Sequence, residues 1–114
     1  MEALPLAAAM LGGVDVSAQV VLSLTGDFEQ HVAQYQCEGM EPFDVTFINA
    51  SPNFLAIVPI GGQKLVFVHV LSADGARYAA GQYEFWTRGN SATLTDLQAT
   101  PQTPASCEVV TDTP

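Results

Sequence analysis

The sequence predicts an antiparallel all-β domain closed into a small barrel of about eight strands. Three observations carry this. From His31 onward, apolar and β-branched runs recur at intervals of about 8 to 12 residues. Clusters that initiate turns or tolerate positive φ separate them. Helix start and stop signals are nearly absent over the same stretch. Short strands that each bury one face leave two sheet edges to be managed, and closure does both at once, so a barrel is preferred to a sandwich.

The candidate strands are residues 31–37, 43–48, 54–60, 64–71, 77–79, 82–87, 91–97 and 106–111. The second shows the clearest alternation: Phe43, Val45 and Phe47 stand against Asp44 and Thr46, so one face is buried and the other wet. Asn49-Ala50-Ser51-Pro52-Asn53 turns the chain into the third strand, and Gly61-Gly62 is the cleanest two-residue hairpin, leading into the fourth. That fourth strand is apolar on both faces from Leu65 to Leu71, which places it centrally or puts another element or a partner over one face. Ala73-Asp74-Gly75, Ala80-Gly81 and Arg88-Gly89-Asn90 delimit the next three strands. Residues 98–105, interrupted by Pro101 and Pro104, cannot pair regularly and form an irregular crossing that returns Cys107 to the body.

Composition limits the function classes. The 114 residues carry 12 Asp+Glu against 3 Lys+Arg, a formal charge of −9. Such a field repels phosphate backbones and anionic lipid and attracts basic proteins, so nucleic acid is not an expected ligand. One domain is expected at this length, and 48% apolar residues suffice for one modest core. Cys37 and Cys107 match no zinc or redox spacing and read as one disulfide of an oxidising compartment, the alternative being two reduced, buried thiols.

The amino-terminal third points toward export. Residues 3–14 form an uncharged run, and Val16-Ser17-Ala18 loosely resembles a cleavage site, although Glu2 stands where a leader carries a basic residue. Residues 1–26 are thus either a signal-peptide remnant or an extension of the mature fold, ahead of a domain over residues 27–114. Gly12, Gly13 and Asp15 interrupt the run too early for a membrane span, and no cysteine follows it as a lipid attachment point. The expectation is a soluble, exported, periplasmic protein without a membrane anchor.

Catalytic signatures are missing. The chain contains no nucleophile elbow, Walker loop, dinucleotide fingerprint or metalloprotease pair, and His31, His69 and Cys37 follow no metal-ligand spacing. No cofactor, no metal and no enzymatic activity are expected. His69, inside an apolar strand, reads as a core or barrel-mouth residue. The informative stretch is residues 72–94, which holds Arg77 and Arg88, the single Trp86, and Tyr78 and Tyr83. The plain reading makes Trp86, Phe85, Tyr78 and Tyr83 core and rim aromatics of a hairpin. Arg88, ahead of Gly89-Asn90, is an exposed cation on an anionic protein, either solvated or aimed at a partner's carboxylates.

Two short motifs here resemble those of the bacterial periplasmic and membrane-bound inhibitors of c-type lysozyme, Ser-Gly-x-x-Tyr and Tyr-x-x-x-Thr-Lys-Gly-x-x-Ala. This chain reads Asp74-Gly75-Ala76-Arg77-Tyr78 and then Tyr83-Glu84-Phe85-Trp86-Thr87-Arg88-Gly89-Asn90-Ser91-Ala92. Arg88 takes the Lys position and Asp74 the Ser position. Cys37 and Cys107 resemble the family's bridged pair. The resemblance, over about residues 31–110, implies an eight-stranded barrel that blocks the lysozyme cleft noncovalently with two loops and protects a Gram-negative cell wall. Arg88 would meet the enzyme's catalytic carboxylates; Gly75, Tyr78, Thr87 and Gly89 would shape the loops. Asp74 would repel those carboxylates unless protonated, paired with Arg77 or Arg88, or turned away, leaving Ser72 to supply the lost hydrogen bond. The alternative is a small-ligand-binding barrel of the envelope with Trp86, Phe85 and His69 lining a pocket.

Overall fold

The computed structural model describes residues 19–113. Eight strands follow one another in the order β1 (Glu29–Cys37), β2 (Phe43–Ala50), β3 (Asn53–Ile60), β4 (Gln63–Val70), β5 (Ala76–Ala80), β6 (Tyr83–Arg88), β7 (Ser91–Asp96) and β8 (Ala105–Thr113). Each pairs antiparallel with its sequence neighbours, and β8 returns to β1, closing the barrel. All eight predicted strands are present, with ends shifted by one or two residues. The uncharged run of residues 3–14 and the expected cleavage site at residues 16–18 lie outside the described residues.

Strand periodicity builds the core. On β1, Ala33, Tyr35 and Cys37 face inward; on β2, Val45 and Phe47; on β3, Ala56 and Val58; and Phe67, Tyr78, Phe85, Ala92 and Cys107 complete the interior. Register stacks these residues side by side: Phe47 lies opposite Ala56, which lies opposite Phe67, and Tyr78 lies opposite Phe85. Large aromatics thus alternate with Ala, as the confined interior of a small barrel requires. Tyr35 meets Phe85 edge to face at 5.2 Å between centroids. A disulfide joins Cys37 to Cys107, directly opposed residues on the closing seam between β1 and β8.

The doubly apolar fourth strand has a different explanation from a central position, since a closed barrel has no central strand. Phe67 points inward, whereas Val66 and Val68 point outward and remain 53% and 52% exposed. Their outer neighbours are Ile57 and Leu55, and Leu55 lies opposite Ile48. Val20, Leu22, Leu24 and Phe28, from the segment that leads into β1, line the other side of a groove of about 540 Å³ over this apolar outer face. The covering element is therefore the approach to β1, and it screens the face only in part. Among the described residues no helix is long and apolar enough to cross a membrane.

Candidate functional site

In an up-and-down barrel alternate connections emerge at the same end, so the β4–β5 loop and the β6–β7 turn become neighbours. The β5–β6 register makes this contact specific: Ala76 lies opposite Thr87 and Arg77 opposite Trp86. Side chains then lace the β4–β5 loop onto β6. Arg77 donates from Nε and Nη2 to the Leu71 carbonyl at 3.1 and 2.6 Å, and its Nη1 pairs with Glu84 at 2.8 Å. The Trp86 indole N–H donates to the Asp74 carbonyl at 2.9 Å, and the Thr87 hydroxyl to the Ala76 carbonyl at 3.3 Å. The Ser72 hydroxyl is occupied within its own loop, donating to the Gly75 carbonyl at 3.4 Å.

Gly75 is where the two loops touch. It sits at φ +62°, and a Cβ built there would overlap the Thr87 carbonyl oxygen and lie 2.9 Å from Arg88 Cγ. Gly89 has the same φ of +62° but open space around a built Cβ. The pair separates backbone preference from steric fit. Gly89→Ala should lower the melting temperature by about 5 °C, the conformational cost alone, and Gly75→Ala by about 10 °C or more, since a backbone oxygen cannot yield. Equal shifts in thermal unfolding would show that the loops are not held in contact.

Arg88 ends β6 with its side chain 44% exposed. Its guanidinium carbon stands 4.0 Å from the centroid of the Trp86 ring, and its Nε lies 3.4 Å from Asp74 Oδ1. Trp86 and Arg88 are two apart on one strand and so share its outer face. An exposed cation–π contact contributes about 0.5–1 kcal/mol, and a solvated ion pair of this length no more than that. Among the described residues neither Nη of Arg88 has a hydrogen-bond partner, which leaves the outer fork of the guanidinium open to an incoming carboxylate. The next strand is tied down as well: Ser91 donates to the Arg88 carbonyl at 3.0 Å, Val109 N–H to the Asn90 carbonyl at 2.8 Å, and Ala92 faces Cys107.

Six of the seven expected contact residues, Ser72, Asp74, Gly75, Thr87, Arg88 and Gly89, are thus brought to one end of the barrel, on the β4–β5 loop and on the end of β6 with the turn that follows it. Tyr78 is not with them. It faces the interior at 6% exposure, against Phe47 and His69, and burial pushes its phenol above the usual range. It packs the floor below the loops, where it lines a pocket of about 210 Å³ together with Thr87, Gly89 and Asn90. His69 lies at the barrel mouth between Phe54 and Tyr78. Trp86 departs from the core-and-rim expectation, since Phe85 inside puts its neighbour Trp86 outside. The same alternation removes the pocket imagined for the ligand-binding alternative, because Phe85 and Trp86 cannot line one cavity. The platform role of Trp86 and the clamp made by Arg77 were not read from the sequence, although the Trp-x-Arg spacing on a strand signals the first.

A family model described as "Membrane-bound lysozyme-inhibitor of c-type lysozyme" matches residues 35–103. A Pseudomonas aeruginosa protein named membrane-bound lysozyme inhibitor of C-type lysozyme is 41% identical over 101 residues, spanning 82% of this chain and 80% of that protein. A Cupriavidus necator protein of the same name is 44% identical over 73 residues, 63% of this chain and 58% of its own. Among solved structures, Pseudomonas aeruginosa MliC in complex with hen egg white lysozyme superimposes with a TM-score of 0.69 at 40% identity, covering 82% of this chain and 99% of that one.

Proposed function

The chain belongs to the family of membrane-bound inhibitors of c-type lysozyme, and from that premise we propose that it blocks a c-type lysozyme noncovalently, with the β4–β5 loop and the β6–β7 turn entering the active-site cleft. The observation that carries the reading is the forked cation of Arg88, raised on Trp86 at the tip of two laced loops, on a protein of net charge −9. C-type lysozymes are typically basic and cut their polymer between two carboxyl groups. The overall field draws the enzyme in, and the local cation of opposite sign pairs with the acidic centre of its cleft. Pre-laced loops lose little conformational freedom on docking, which favours tight binding. The role requires no catalytic residue, cofactor or metal, and as a member of an inhibitor family the protein is not an enzyme. A disulfide on the barrel seam suits a place on the periplasmic side of a Gram-negative envelope.

The test is the clearing of a bacterial cell-wall suspension by lysozyme as the protein is titrated in. Lysis should stop near stoichiometric amounts, and undiminished lysis at a molar excess rejects the reading. Electrostatic steering adds a second expectation. The association rate should fall by about tenfold between low and physiological ionic strength, while a rate indifferent to salt would separate the charge from the function.

A further inference from the structure

Asp74 places a carboxylate on the Nε edge of Arg88, beside the open Nη fork where the proposed partner must place its own. We propose that Asp74 is a built-in rival of the enzyme's carboxylates, which sets the affinity of the inhibitor by occupying one edge of the Arg88 guanidinium in the free protein. The inference rests on the cleft-blocking reading and concerns what regulates that same site.

Two features divide the labour at this position. The Asp74 backbone carbonyl accepts the Trp86 indole N–H at 2.9 Å, and this bond fixes the ring over which Arg88 lies at 4.0 Å. The Asp74 side chain reaches Arg88 Nε at 3.4 Å and is 68% exposed. Any residue at position 74 retains the first contact, whereas only an acidic one brings a negative charge to the second. The platform that aims Arg88 is therefore independent of the carboxylate that neutralises it. The other nearby cation, Arg77, is held by Glu84 at 2.8 Å and by the Leu71 carbonyl, and is not available to relieve Asp74. The Ser72 hydroxyl, turned to the Gly75 carbonyl, does not stand in for an uncharged group at position 74.

Docking must then either break the Asp74–Arg88 pair or bring a second carboxylate up to a cation that already has one. Both weaken binding, by an amount limited by solvent screening at so exposed a pair. Asp74 thus acts through Arg88 and is a positioning residue of negative sign, while Trp86 is one of positive sign.

The experiment measures inhibition of hen egg white lysozyme by the full chain and by Asp74→Asn and Asp74→Ser, at low and high salt, with thermal melts as fold controls. Both variants should inhibit about fivefold more tightly than the parent at low salt, with the gain shrinking as salt rises. In an Arg88→Ala background the same substitutions should give little gain. Unchanged or weaker inhibition by two well-folded variants overturns the proposal. An undiminished gain in the Arg88→Ala background also overturns it, because Asp74 would then act on the enzyme directly. Failure of the parent chain to inhibit at all is a separate result, and it would reject the cleft-blocking reading instead.

Discussion

Replacing Arg88 by alanine should weaken inhibition of a c-type lysozyme by at least about tenfold while leaving thermal unfolding within about 2 °C of the parent. The two halves of this expectation have different origins. Loss of affinity follows from removing a cation that would be desolvated against the enzyme's acidic centre, the kind of contact on which interfaces concentrate their energy. Retention of stability follows from the outer position of the side chain, whose contacts with Trp86 and Asp74 are both solvent-facing. Arg88→Lys should recover most of the inhibition, since the family motif carries Lys there, although Lys stacks less well and offers no fork. Inhibition constants from cell-wall clearing, set beside thermal melts, decide the matter. An unaltered constant for the alanine variant would remove Arg88 from the contact.

The second large effect concerns stability. Replacing Cys37 and Cys107 by serine, or reducing the bridge, should cost about 4 kcal/mol, because the two cysteines are 70 residues apart and the unfolded chain loses the closure of a long loop. Domains of this size rarely hold more than about 5–15 kcal/mol in total, so the melting temperature should drop by about 15 °C or more. The loss should extend to the binding end. Cys107 faces Ala92, and two residues on, Val109 holds the Asn90 carbonyl of the turn after Arg88. Protection of the Val109 amide, which donates to the Asn90 carbonyl, from hydrogen exchange should therefore fall in the reduced protein even at temperatures where it remains folded. Denaturant unfolding with and without reductant measures the first effect; equal midpoints would contradict it.

Much of the fold was legible because local pattern and global closure agree. The alternation of Phe43, Val45 and Phe47 gave the inner face of β2 directly, and the turn clusters separated the strands from β2 to β7. The ends shifted where tertiary contacts overrule hydropathy. Leu71 continues the apolar run of β4, yet its carbonyl is taken by Arg77, and the residue itself is 89% exposed beyond the ladder. The outward Val66 and Val68 were visible as an excess of apolar residues, but their neighbours on the approach to β1 come from a segment without strand signals. At the site, the two motif segments sit side by side as their resemblance implied. The choice between Arg77 and Arg88 as the partner of Asp74 depends on a three-dimensional fact, the capture of Arg77 by Glu84, two residues before Trp86 on the same outer face. The inward turn of Tyr78 was available from its place one residue after Arg77, but only once the face carrying Arg77 was known.

Closure of the barrel also limits how such a protein can change. Every strand has a hydrogen-bonded neighbour on both sides, and no free edge is offered on which another chain could extend the sheet. On the proposed reading, recognition falls to side chains at one pole, carried by two connections whose lengths and residues contribute little to the interior. Variants directed at different enzymes can therefore arise by exchanging a handful of polar positions in those connections, with the frame that displays them left intact.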